Sequence, residues 1–156
     1  MTVDISGFVK HGCFSEIPYG ISRNDFLILM GDCECTVKSA KKNVYPSIYK
    51  YGIVEFYYGD KKNGTLYGIL VQPNSYPCEE GNVIFSYTGI DMESPLTYAQ
   101  TIEYLNKNKV HFNENQDGHI LTTDSGVDFF FHEESTPLFD EYELIKFGSF
   151  IDANDI

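Results

Sequence analysis

The chain has 156 residues, 42% of them hydrophobic, enough for the core of one ordinary domain without disulfide or metal staples. It carries 23 acidic against 11 basic residues, a net charge of −12, so its surface repels nucleic-acid phosphates and anionic lipid and disfavours a role on either. Such a surface either steers a basic partner, through the on-rate more than the affinity, or simply keeps a protein soluble.

Twelve Tyr and 12 Phe with no Trp favour strands, where flat side chains pack on a pleated surface. The thiols are Cys13, Cys33, Cys35 and Cys78. Residues 1–5 lack the basic and apolar regions of an export signal, and no run approaches membrane-spanning length. The expectation is a cytoplasmic protein with reduced thiols. Cys33-Glu34-Cys35 is neither a redox C-x-x-C nor half of a paired zinc knuckle.

In residues 3–14, Val3, Ile5 and Val9 share one parity, which predicts an edge strand or an ordered arm. Ser22 followed by Asp25 resembles a capping box, and Phe26, Leu27 and Met30 share a helical face that Gly31 ends. Lys38, Lys41 and Lys42 form the densest basic patch, in either a second helix from Thr36 to Asn43 or a solvated loop. From Ile48 the pattern is β: residues 48–51 and 53–58, a turn over 59–64, and a returning strand over 65–72. The breaker-rich residues 73–82 read as a connection, with a further strand over 83–87. Thr97 and Gln100 then open a helix running to about Asn106, and residues 110–112, 119–122, 127–132 and 142–147 are strand-like.

Two features recur. Gly52 precedes Ile53-Val54-Glu55-Phe56-Tyr57-Tyr58, and Gly126 precedes Val127-Asp128-Phe129-Phe130-Phe131, from position 52 to position 126, 74 residues on. The helix starts Ser22 and Thr97 share nearly that offset. The chain therefore reads as a single α+β domain over 1–156 made of two tandem repeats, about 14–88 and 89–150. Each is expected to pack short helices on one face of its own three- to four-stranded antiparallel sheet.

The chemistry-bearing residues are sparse. His111 and His132, with Glu133 and Glu134 beside the latter, match a metal site of two histidines and a carboxylate, although strand ends carry polar residues in any case. Cys13 or Cys78 paired with a histidine has no oxyanion-forming segment beside it, and no glycine-rich phosphate motif is present. Strand parity gives the sharper signal. Val54, Phe56 and Tyr58, like Val127, Phe129 and Phe131, form core faces, leaving Glu55 with Tyr57 and Asp128 with Phe130 on the opposite face. Aligning the two faces takes a one-residue slip, such as a bulge. Acids and tyrosines on a firm sheet suit a protein-binding surface, or a well-solvated exterior.

The run Ile17-Pro18-Tyr19-Gly20-Ile21-Ser22-Arg23-Asn24-Asp25-Phe26, with Gly31 and Cys33 beyond it, resembles the helix-start motif of the beta-lactamase inhibitor protein superfamily. That resemblance implies tandem units, each a short helical pair followed by a four-stranded antiparallel sheet, whose concave sheet surface binds a partner protein. The second copy, Pro95-Leu96-Thr97-Tyr98, departs from the motif in lacking its glycine and arginine. The run from Tyr45 to Phe56 resembles small cytosolic bacterial proteins similar to immunity proteins of polymorphic and contact-dependent toxin systems. This implies a protein that blocks a toxin, often a basic nuclease, by covering its active site.

The expectation is therefore a non-enzymatic inhibitor without a cofactor, which binds a basic protein partner through Glu55, Tyr57, Asp128, Phe130, Glu133 and Glu134. The alternative is a small metal-dependent hydrolase built on His111, His132 and nearby carboxylates.

Overall fold

The computed structural model of the protein describes residues 2–31, 33, 35–38, 45–59, 64–73, 86–90, 96–115, 120–132 and 142–152. A short strand, β1 (Thr2–Asp4), leads into helix α1 (Ile5–His11), which Gly12 closes in the left-handed conformation at φ 74°. Ile5, Phe8 and Val9 are all buried, at i, i+3 and i+4. The edge strand or arm expected over 3–14 thus stops at Asp4. Ile5 and Val9, four apart, satisfy a helical period as well as a strand period, and the core selects the helix.

Helix α2 (Arg23–Met30) starts at Ser22, whose hydroxyl oxygen accepts from the Asp25 amide at 3.2 Å, and ends at Gly31. The Asp25 carboxylate accepts the Ser22 hydroxyl at 2.6 Å instead of reaching back to the backbone, being one methylene too short for a full box. Helix α3 (Tyr98–Lys107) has the complete box between Thr97 and Gln100. Among the described residues no helix is long and apolar enough to cross a membrane.

The remaining strands are β2 (Cys35–Val37), β3 (Ile48–Tyr51), β4 (Val54–Tyr58), β5 (Leu66–Val71), β6 (Ser86–Thr88), β7 (Phe112–Glu114), β8 (Ile120–Thr123), β9 (Asp128–His132) and β10 (Glu143–Phe150). Cys35–Val37 is a strand where a helix or loop was expected from Thr36, and residues 39–44 lie outside the described set. All three of its side chains are exposed, so no buried parity marks it in the sequence. β6 does not extend the first meander as expected; it pairs in parallel with β1, apart from the main sheet.

The expectation of two tandem units with separate sheets is overturned. β2 to β5 form one antiparallel meander and β7 to β10 another, but β5 and β10 pair with each other. Their register is Phe147↔Val71, Gly148↔Leu70, Ser149↔Ile69 and Phe150↔Gly68. Among the described residues the result is one eight-stranded antiparallel sheet in the order β2-β3-β4-β5-β10-β9-β8-β7, with three short helices. Separate sheets would have left β5 and β10 as long apolar edges with rows of unpaired backbone groups; pairing removes both edges.

All three helices pack on one face. Phe26 of α2 meets Tyr49, Tyr51, Phe56 and Tyr58 with ring centroids 4.9–5.9 Å apart. Phe8 of α1 lies 6.2 Å from Phe147, which stacks on Phe129 at 5.1 Å, and Tyr98 of α3 meets Phe131 at 5.0 Å. Val54, Phe56, Tyr58, Val127, Phe129 and Phe131 are all buried, as strand parity requires.

Candidate functional site

Because the helices take one face, the side chains of opposite parity point to the other. That face is organised by an unbroken register: Lys50↔Glu55, Glu55↔Leu70, Leu70↔Gly148, Gly148↔Asp128, Asp128↔Thr122 and Thr122↔Asn113. Glu55 and Asp128 therefore lie on one row, three strand spacings or about 14 Å apart. Both are half-buried. The Tyr57 hydroxyl donates to the Glu55 carboxylate at 2.7 Å, and the Thr122 hydroxyl donates to the Asp128 carboxylate at 2.7 Å. Burial, then the hydrogen bond and charge of Glu55, raise the Tyr57 phenol above its ordinary range, so it remains a donor at neutral pH.

Between the two acids lie Leu70, which is buried, and Gly148. Gly148 sits under the Leu70 side chain and Gly68 under the Phe150 ring; a Cβ at either glycine would collide with that cover. Bare backbone at these points lets Leu70 and Phe150 lie flat on the neighbouring strand.

An aromatic corner adjoins Glu55. Tyr57 and Phe150 have centroids 5.2 Å apart, and Tyr67 lies 6.4 Å from each. Tyr67 joins them because β4 and β5 slip between Tyr57↔Gly68 and Tyr58↔Leu66, leaving it the extra residue of a bulge. Phe150 is 50% exposed, so this corner is open to solvent. On the diagonally opposite side Phe130 pairs with Ile120, and its ring carries the Lys146 ammonium 5.1 Å from its centroid.

Four of the residues singled out from sequence, Glu55, Tyr57, Asp128 and Phe130, thus come together on one face, while Glu133 and Glu134 lie outside the described residues. The sequence reading missed Tyr67, Leu70, Lys146 and Phe150. The alternation Lys146-x-Gly148-x-Phe150 was the available signal for two of them, hidden because that strand was expected to end at Phe147.

The two histidines of the metal-dependent alternative do not meet. The His111 carbonyl accepts from Asp124 at one end of the β7–β8–β9 meander, whereas His132 pairs with Glu143 toward the other, roughly 20 Å away along the strands. A cleft of about 430 Å³ beside α1 is lined by Asp4, His11, Cys13 and Glu16 among others. Cys13 and His11 are not hydrogen-bonded to each other there, and among the described residues no three His, Cys, Asp or Glu side chains converge as metal ligands. Cys78 and His119 lie outside the described residues. The Cys33 thiol donates to the Lys50 carbonyl at 3.1 Å, a use of the C-x-C segment that needs no metal.

No family model, curated protein or solved structure matches the chain.

Proposed function

We propose that this chain is a binding protein that docks a basic protein partner on the face of its sheet opposite the described helices and blocks it, the target being a toxin domain of the kind the sequence resemblance implies. The observation that carries the reading is the row placing Glu55 and Asp128 about 14 Å apart on one face of the sheet, with aromatic residues at diagonal corners. A net charge of −12 adds long-range attraction for a cationic surface. Aromatic side chains supply contact area at small entropy cost, and half-buried carboxylates held by hydroxyl donors are already oriented for charged hydrogen bonds.

Toxin-blocking is tested by co-expression with the polypeptide encoded immediately beside this one. That polypeptide should inhibit growth alone, and this chain should relieve the inhibition by forming a complex with it. Glu55→Gln with Asp128→Asn should weaken that complex about tenfold or more and flatten its salt dependence, since the docked charges are partly desolvated. A complex of unchanged affinity in the double variant, or no complex at all, refutes the proposal.

A further inference from the structure

The two aromatic corners of the face differ in one respect. At Phe130 the ring is capped by the protein's own Lys146, 5.1 Å from its centroid. At Tyr57, Tyr67 and Phe150, among the described residues, no Lys or Arg lies over any ring. Glu55 stands at the edge of this second cluster, with one carboxylate oxygen accepting the Tyr57 hydroxyl. Lys50, opposite Glu55 on β3, makes no ion pair with it among the described residues.

We infer that the corner formed by Tyr57, Tyr67, Phe150 and Glu55 is a subsite for an arginine side chain of the docked partner. The inference rests on the docking reading above and specifies its chemistry. Aromatic faces attract a cation through their negative quadrupole, and Lys146 on Phe130 is an instance of that contact on this same face. Three rings, inclined at 51–68° to one another, with a carboxylate beside them add what a single ring lacks: more than one aromatic surface about the cation and an acceptor at the rim. The guanidinium meets both requirements at once, since its plane stacks on a ring while its N–H groups donate sideways to a carboxylate; an ammonium is a compact point charge with no plane to lay on the ring, and fits less well. The Phe150 ring is half-exposed to solvent, and its seat on Gly68 fixes its position. The Tyr57 hydroxyl holds Glu55 without neutralising it, so the negative charge remains for the incoming cation.

The test is an NMR titration of the isotope-labelled full chain with the peptide acetyl-Gly-Arg-Gly-amide, alongside its Lys and Gln counterparts. The Arg peptide should shift the ring signals of Tyr57, Tyr67 and Phe150 saturably, the Lys peptide should bind a few-fold more weakly, and the Gln peptide should leave them in place. Glu55→Gln should weaken Arg-peptide binding about fivefold, the upper end for a solvent-accessible ion pair, with the spectrum otherwise unchanged. Phe150→Leu, which keeps a cover over Gly68, should weaken it as well. Shifts centred elsewhere, equal binding of the Gln peptide, or indifference to both variants would overturn the subsite. If the Arg peptide fails to bind while an intact basic partner does, the subsite falls and the docking reading stands; if the peptide saturates the corner and no partner docks, the reverse holds.

Discussion

Arg23 is the residue whose removal most directly separates a structural motif from a functional one. It is 4% exposed, and its guanidinium donates to the carbonyls of Gly59 at 2.7 Å and Pro46 at 3.2 Å. The same group lies 5.2 Å from the Tyr45 ring centroid and 5.6 Å from that of Tyr58. One side chain at the start of α2 thus ties together the residues preceding β3, the end of β4 and the approach to β5. Arg23→Ala leaves both carbonyls without that donor, at about 1–1.5 kcal/mol each. It also loses two ring contacts of roughly 0.5–1 kcal/mol each. Relief of the guanidinium's own desolvation offsets part of this, and the net expected loss is about 3 kcal/mol. In urea, with a slope of about 2 kcal/mol/M, the unfolding midpoint should fall by roughly 1.5 M. Arg23→Lys keeps the charge but not the fork and should lose about half as much. A midpoint for Arg23→Ala within about 0.5 M of the parent, at unchanged slope, would refute the reasoning.

Other measurements bear on the core. The Tyr58 hydroxyl is buried with no hydrogen-bond partner among the described residues, so Tyr58→Phe should leave thermal stability unchanged or raise it by up to about 1 kcal/mol; a loss above that would disprove the assignment. Phe26→Ala, which removes the ring on which four aromatic residues of β3 and β4 converge, should cost about 3–5 kcal/mol in chemical denaturation, and a cost below about 1.5 would contradict the packing. Burial pushes the Tyr19 phenol up to about 12 and also raises Tyr49, Tyr57, Tyr58 and Tyr104. A raised folded pKa gives stability that is complete below the unfolded value near 10 and is lost as pH climbs through the folded one. Melting temperature should therefore fall from pH 10 to pH 12, less steeply in Tyr19→Phe, and a flat profile across that window would show that these phenols ionise freely.

The parts of the fold legible in the sequence are those fixed by local chemistry. Ser22 with Gly31, and Thr97 with Gln100, mark helix ends because capping acts within four residues. Gly52 and Gly126 mark the turns into β4 and β9 because each takes positive φ, 58° and 81°. Their alternating faces follow, one-residue slip included: buried side chains begin two positions after Gly52 but one after Gly126. The pairing of β5 with β10 was not legible, since strands some 80 positions apart carry no mutual signal in their own alternation. Tyr67 was missed for a related reason, because a bulge decides its face and period-two counting does not see bulges.

The central pairing also determines what the face can bind. With separate sheets, Glu55 and Asp128 would have had no fixed relation, and each would have acted as an independent surface charge. Joining β5 to β10 places just two strands between them, contributing Leu70 and Gly148, and makes their separation a property of backbone hydrogen bonds. At about 14 Å they lie farther apart than the screening length in physiological salt, so they do not act as one patch; each requires its own cation on the partner. A partner carrying two basic side chains at that spacing on a firm surface would engage both, whereas a flexible basic peptide would lose the benefit to chain entropy. Folded basic proteins should therefore bind this face more tightly than unstructured peptides of equal charge, with a gap that closes in the single variants Glu55→Gln and Asp128→Asn. Equal affinity of the two classes for the unaltered face would mean that the fixed spacing contributes nothing to recognition.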